Sequence, residues 1–342
     1  MRISLTDRCN LHCRYCRPQV AEHLEHSDIL RYEELLRVAR CAVALGITRF
    51  KITGGEPLVR KGAVEFIAQL KALPGVEQVT LTTNGVLLEK YLARLVETGL
   101  DGINVSLDTL DAELYRELTG GGELGAVLSA LQAVVKSGVS CKLNCVPLKG
   151  KMEVKVASSS PEEARINVAG LFPKSEALAN VAGLSPNEWN ILELVAFAAS
   201  LGVPLRFIEL MPLACNGALE SFTGAELREL LRKSGYNLEA VSNSIGNGPA
   251  EYYKTTEGQL LGFIEPVYHK FCASCNRVRL TSTGVLKPCL YSPGTLDVRE
   301  LLRSGASDAE LMEALRRAIY AKPLGHHFEE RAAGFSMNEI GG

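Results

Sequence analysis

Six short β-rich runs, separated in most cases by helix-period stretches, constrain this chain more than any other feature. The sequence predicts strands near Arg2–Thr6, Arg49–Thr53, Val79–Thr83, Ile103–Leu107, Lys142–Pro147 and Pro204–Leu210, with helices over Tyr32–Leu45, Ala63–Leu73, Lys90–Thr98 and Gly125–Lys136. Alternation of this kind demands parallel pairing with right-handed crossovers. Six units predict an α/β fold built on a partial or full (β/α)6 barrel over residues 1–212. The strands run into chemically loaded turns: Cys9–Cys16, Gly54-Gly55-Glu56-Pro57, Thr83-Asn84-Gly85, Ser106-Leu107-Asp108 and Glu209-Leu210-Met211-Pro212. Active sites of parallel barrels lie at the carboxyl ends of the strands, so these turns point to one shared site.

Beyond Pro212 the pattern changes to a smaller α+β region over 213–342. A helix is expected over Phe222–Ser234, hairpins over Glu251–Val267 and Val278–Leu290, and a helical tail over Leu296–Lys322. One stretch, 151–184, fits neither part. Ser160-Pro161-Glu162-Glu163 and Ser185-Pro186-Asn187-Glu188 each carry a capping box with proline at the first helical position. The stretch therefore reads as an insertion on the barrel rim with helices of its own.

A net charge of −2 argues against a whole-surface nucleic-acid or membrane binder, so an anionic ligand must meet a local basic cluster. No run approaches the roughly 18 apolar residues of a membrane helix. The opening MRISLTDRCN has no apolar signal region. The expected location is the cytoplasm, where the ten cysteines stay reduced, and reduced cysteines grouped at short spacing read as metal ligands.

Six of them fall into two triads. Cys9, Cys13 and Cys16 form C-x3-C-x2-C directly after the first strand, and Cys272, Cys275 and Cys289 form C-x2-C-x13-C. Clustered thiolates suit an iron–sulfur cluster or zinc. Three ligands leave one iron of a cubane open to a small molecule, whereas structural zinc takes a fourth ligand. His12 is badly placed for that role; His269 is a better candidate, so zinc stays open for the second triad.

The first triad, with Tyr15 before its last cysteine, followed by Gly54-Gly55-Glu56-Pro57, resembles the radical SAM superfamily. The likeness narrows through RISLTDRCNLHCRYCRP, KITGGEPLVR, LTTNG, INVSLDTL, RFIELMP, GFIEP, FCASCNRVRLTSTGVLKPCLYS and the terminal Gly341-Gly342 to the GTP 3',8-cyclase family of molybdenum cofactor biosynthesis. It covers nearly the whole chain apart from 151–184. That resemblance implies two [4Fe-4S] clusters and S-adenosylmethionine (SAM), cleaved reductively to a 5'-deoxyadenosyl radical that acts on GTP.

It further implies that Cys9, Cys13 and Cys16 hold the SAM cluster. Tyr15, Gly54, Gly55, Glu56, Thr82, Asn84 and Ser106 would line the SAM pocket. Cys272, Cys275 and Cys289 would hold the second cluster, with Asn276, Arg277 and Arg279 beside the substrate. Arg2, Arg49, Lys51, Lys142, Asn144 and Arg206 would meet the nucleotide at the barrel mouth, and Gly341-Gly342 would thread into the site. Arg49 and Lys51 stand two apart on one strand and so share a face; a triphosphate would balance their charge, and structural salt bridges are the plainer alternative. Implied partners are an electron donor such as flavodoxin or ferredoxin, the next enzyme of the pathway and a second copy of the chain. Three departures from the family pattern stand out: the absence of a leader before the first strand, Arg17-Pro18 in place of Met-Pro, and the 151–184 insertion. The rival reading within the superfamily is an enzyme acting on another nucleotide or on a peptide.

Overall fold

The computed structural model describes residues 1–16, 24–149, 183–213, 219–241, 246, 248–328 and 337–340. Its parallel strands are β1 (Arg2–Ser4), β2 (Arg49–Thr53), β3 (Gln78–Thr83), β4 (Gly102–Ser106), β5 (Cys141–Cys145) and, after a short β6 (Leu148–Lys149), β7 (Leu205–Ile208). They pair side by side in the order β1-β2-β3-β4-β5-β7. The helices between them are α1 (Tyr32–Ala44), α2 (Ala63–Lys71), α3 (Leu88–Glu97), α4 (Ala112–Thr119), α5 (Leu124–Ser137) and α6 (Pro186–Ser200). This is the expected partial barrel, with β2 at its predicted bounds and the other strands within a few residues of theirs.

The strands alternate cleanly. Ile3, Phe50, Ile52, Val79, Leu81, Ile103, Val105, Leu143 and Leu205 turn outward and are buried against the helices in one apolar core. The other face carries Arg2, Ser4, Lys51, Thr80, Thr82, Asn104, Ser106, Lys142, Asn144 and Arg206. A barrel interior is normally filled with branched apolar residues; this one is lined with polar groups and cations.

The C-terminal part extends the same sheet. After β8 (Glu220–Ser221), α7 (Gly224–Lys233) and β9 (Glu239–Ala240) come β10 (Glu251–Lys254) and β11 (Leu260–Ile264). Strand β11 joins β7 in parallel, while β10 and β9 continue the sheet antiparallel. At the other edge β12 (Arg279–Leu280) joins β1 in parallel, followed by β13 (Val285–Lys287) and β14 (Leu296–Asp297) antiparallel. The result is one twelve-stranded sheet. Leu280, Leu286, Val298, Leu311 and Leu315 belong to the same core as Ile3 and Leu35. We propose the boundary near residue 212 as a change of topology within one sheet, not a break in the core.

Two expectations change. The predicted helical tail Leu296–Lys322 is β14, then α8 (Val298–Arg303) and α9 (Asp308–Tyr320), because Gly305 takes φ +86° and ends the first helix. A last short helix is α10 (Met337–Ile340). Helix α4 lay unread in the sequence. Asp111 caps it by accepting from the Leu114 amide, and Gly120 ends it at φ +67°. The capping box at Ser185 forms as expected and starts α6, whereas Ser160–Glu163 lies outside the described residues. No single helix among the described residues is long and apolar enough to cross a membrane.

Candidate active site

The first triad sits at the carboxyl ends of the strands, pressed between two neighbours. On one side the Gly55 amide donates to the Thr6 carbonyl at 2.7 Å and the Glu56 amide to the Arg8 carbonyl at 2.9 Å. A Cβ on Gly55 would lie 2.4 Å from the Arg8 carbonyl oxygen and 2.6 Å from that of Asp7, so only glycine lets this turn lie flush on the cysteine loop. On the other side the His12 and Arg14 amides donate to the Thr119 and Leu118 carbonyls at the end of α4.

Glu56 is fully buried. Its carboxylate accepts from the Leu58 amide (3.0 Å), the Thr83 hydroxyl (2.9 Å) and the Asn84 amide (2.7 Å), tying the turn after β2 to the turn after β3. Burial pushes its carboxyl up to about 7 against those three donors. Asn84 turns its own amide to Asn10 Oδ1 at 2.8 Å and lies 3.7 Å from Cys9 Sγ. Thr82 and Ser106 face the interior just below, half-buried. The Tyr15 hydroxyl donates to Asp108 Oδ2 at 2.7 Å, and the Val146 amide donates to Asp108 Oδ1 at 2.8 Å. Burial raises the Asp108 carboxyl to about 6.

The second triad lies at the other end. Strand β12 runs parallel to β1 with Arg279 opposite Arg2, and Cys272 and Cys275 precede it. Strand β13 returns antiparallel with Lys287 opposite Arg279, so Cys289 emerges at that same amino end. The barrel therefore separates the two triads along the strand direction. A cavity opens at this amino end, of about 830 Å³ including the part open to solvent. Arg2, Lys51, Lys142, Arg206, Asn276 and Arg277 are among the residues lining it.

Its electrostatics are one-sided. Among the described residues no carboxylate pairs with Arg2, Lys51, Arg206, Arg277 or Arg279. Arg206 Nε donates to Asn144 Oδ1 at 2.9 Å and its other arm to Asn104. Arg277 stacks on Phe271 at 4.9 Å. Burial holds Lys51 well below the ordinary lysine value, and the neighbouring Arg2, Arg206, Lys142 and Arg277 add to the effect. Arg2 is depressed the same way, by burial and then by Arg279, Arg277 and Arg206. Arg279, also buried, falls to about 10 and has a buried Nε with no partner. Unpaired cations are costly when buried, as Arg206 and Arg279 are, or half-buried, as Arg2, Lys51 and Arg277 are; together they describe a receptor for several negative charges.

Arg49 departs from the expectation. It shares the face of Lys51 and reaches the cavity rim, but its guanidinium pairs with Glu77 at 3.3 Å and is 51% exposed. A shared face does not equal shared depth: Arg49 starts the strand, where the barrel meets solvent.

Residues 3–157 match the radical SAM superfamily and residues 203–328 the Molybdenum Cofactor Synthesis C family. A GTP 3',8-cyclase from Moorella thermoacetica is 37% identical over 347 residues, covering 100% of this chain and 97% of that protein. One from Geobacter sulfurreducens is 38% identical over 350 residues, covering 100% and 96%. The chain belongs to the GTP 3',8-cyclase family. Among solved structures, Streptococcus suis SuiB superposes with a TM-score of 0.57 at 17% identity, a likeness of fold alone. That match covers 94% of this chain and 65% of SuiB.

As a radical SAM enzyme, this member of the GTP 3',8-cyclase family uses a [4Fe-4S] cluster and SAM. The first triad fits that group. Burial raises the Cys13 thiol well above its ordinary value, and the nearby Cys16, Asp108 and Cys9 raise it further. Such a pocket opposes thiolates unless a cationic centre balances them, which iron does. Among the described residues no three His, Cys, Asp or Glu side chains converge as on one metal ion. His12 and His269 are both exposed. Sequence reasoning missed Asp108, Asn104 and Phe271 as partners of Tyr15, Arg206 and Arg277. Asp108 had a signal, standing two residues after Ser106 at a strand end. Gly341, Gly342, Arg17 and residues 151–182 lie outside the described residues.

Proposed function

We propose that this chain converts GTP to 3',8-cyclo-7,8-dihydro-GTP, the first step of molybdopterin biosynthesis. The observation that carries the reading is the set of cations without carboxylate partners lining the amino end of the barrel beside the second triad, a match to a nucleoside triphosphate.

Cys9, Cys13 and Cys16 hold the cluster, and the backbone of Gly54–Gly55 with Thr82, Asn84 and Ser106 surrounds SAM. The Glu56 side chain is spent on the turn, so its contribution to SAM comes through the position of its backbone. Cluster and SAM together supply hydrogen-abstracting power when an electron arrives from a donor such as flavodoxin or ferredoxin. Cys272, Cys275 and Cys289 hold a second [4Fe-4S] cluster at the opposite mouth, with Asn276, Arg277 and Arg279 at the guanine end. Arg2, Lys51, Lys142 and Arg206 take the triphosphate, and Arg49, turned to Glu77, stays at the rim. Fixed at both ends, the ribose presents C3' to the SAM side of the barrel interior. The same reading assigns Gly341 and Gly342, which lie outside the described residues, a role in this reaction. Release of the product to the next enzyme, and pairing of two chains, belong to the same reading.

One hydrogen leaves C3', the C3'–C8 bond forms, and one electron with one proton returns, so the product has the mass of GTP. Anaerobic turnover with GTP deuterated at C3' tests this. Deuterium should appear in 5'-deoxyadenosine, and a chromatographically distinct isomer of GTP should form. SAM cleavage indifferent to GTP, with no deuterium transfer, would overturn the reading.

A further inference from the structure

Lys322 lies outside every motif, just past the end of α9, yet its ammonium reaches into the second triad. It donates to Cys275 Sγ at 3.4 Å, to the Arg277 carbonyl at 2.8 Å and to the Pro288 carbonyl at 2.7 Å. An ammonium has three donors and no acceptor, and here all three are used. The acceptors come from both halves of the triad: Cys275 and Arg277 before β12, and Pro288 next to Cys289 after β13. The same segment also passes Cys272, since a Cβ on Gly325 would stand 3.9 Å from its Sγ. Two further observations show that the contact is a built one. Lys322 has no carboxylate partner among the described residues, and its own amide is anchored to the Ile319 carbonyl at 3.1 Å, fixing it against α9.

We propose that Lys322 is the positioning residue of the second triad: its ammonium clips the Cys275 loop to the Cys289 strand and withdraws charge from the Cys275 sulfur. The inference rests on the two-cluster reading above. It has two physical consequences. The clip closes the gap that a spacing of thirteen residues leaves between Cys275 and Cys289, replacing the short-range geometry that the first triad has from its own loop. Its N–H···S contact and positive charge stabilise the reduced, more negative state of a cluster bound there, because hydrogen bonds to cluster sulfurs raise the reduction potential. Lysine suits this better than arginine, since a compact ammonium can address three converging acceptors while a planar guanidinium cannot. By holding the Arg277 carbonyl it also fixes the backbone from which the Arg277 guanidinium reaches the cavity.

The test uses the full chain with Cys9, Cys13 and Cys16 changed to Ala, so that only the second triad can hold iron, reconstituted anaerobically. This parent is compared with Lys322→Met and Lys322→Arg in the same background by iron and sulfide content, far-ultraviolet circular dichroism, midpoint potential, and the rate of iron loss to a chelator. The parent should hold about four irons. Lys322→Met should stay folded, lose iron roughly tenfold faster or more, as for other outer-shell partners, and titrate at a more negative potential. Lys322→Arg should fall between the two on both readouts, and it decides the case if the methionine chain holds too little iron to titrate. Equal potentials and equal loss rates in all three chains overturn the proposal while leaving the second cluster standing. A parent without iron overturns the cluster reading itself, and the role of Lys322 with it.

Discussion

Lys51→Met separates the two consequences of lining a barrel with cations. Lys51 stands directly across from Arg2 in the sheet register, and no partner of opposite charge faces it among the described residues. Two unit charges on directly paired positions of adjacent strands, whose backbones lie about 5 Å apart, repel by about 2–3 kcal/mol at an effective dielectric of about 20. Removing Lys51 should therefore stabilise the ligand-free protein by about 2–3 kcal/mol, raising its Tm by a few degrees. The sign with pH follows from the lowered lysine value. Between that value and the ordinary 10.5, the folded chain binds fewer protons than the unfolded one, so its stability rises with pH. The penalty is complete below the lowered folded value, so the gain from Lys51→Met is full there and shrinks as pH rises through that value toward 10.5. Affinity should move the other way. A charge-assisted contact to a phosphate is worth about 1.5–3 kcal/mol, so GTP should bind roughly ten- to hundred-fold more weakly, and guanosine much less so. Calorimetric melts from pH 6 to 10 and equilibrium binding of GTP and guanosine measure both arms. A variant less stable than the parent at pH 7 would refute the account of an unpaired cation lining the barrel. Equal loss of GTP and guanosine affinity would refute a triphosphate contact.

Gly55→Ala should cost about 3 kcal/mol through overpacking, since backbone carbonyls rather than flexible side chains meet the new methyl; the check is iron content and SAM affinity in a chain lacking the second triad, and normal values would show that the turn yields. Replacing Cys9, Cys13 and Cys16 should abolish SAM cleavage and leave about half of the roughly eight irons of the reconstituted enzyme, with zinc in place of iron as the contrary result. Appending residues after Gly342, or changing Gly341 to Ala, should leave SAM cleavage in place and stop deuterium transfer from C3'; a normal rate of product formation would make the diglycine a frayed end. Excising 151–184 with a short linker should leave a soluble chain that binds both clusters, because α6 carries its own capping box and starts after the excision; an insoluble product would place the segment in the core.

The periodicity and the turn residues made the barrel legible. Alternating apolar positions in RFKIT and QVTLTT are locally complete instructions, so β2 and β3 lie where the pattern puts them. Short-range spacing likewise marked the first triad, because three cysteines within eight residues can meet through their own loop. Helix α4 escaped because it is eight residues long and half polar; its packing against the cysteine loop, through His12 and Arg14, is tertiary. Face without depth misled the reading of Arg49: period two places it beside Lys51, but only the curved, folded sheet decides that one faces the barrel interior and the other meets Glu77 in solvent. Nothing in the linear order reveals that the two triads stand at opposite ends of the strands, since that follows from β12 pairing in parallel with β1 across more than 270 residues. Lys322 is the same kind of fact. Its three acceptors are carried by segments that meet only once β12, β13 and α9 are packed. Local chemistry is written in neighbouring residues, whereas the long-range register that assembles it is chosen by burial of the common core, and so appears only in the folded chain.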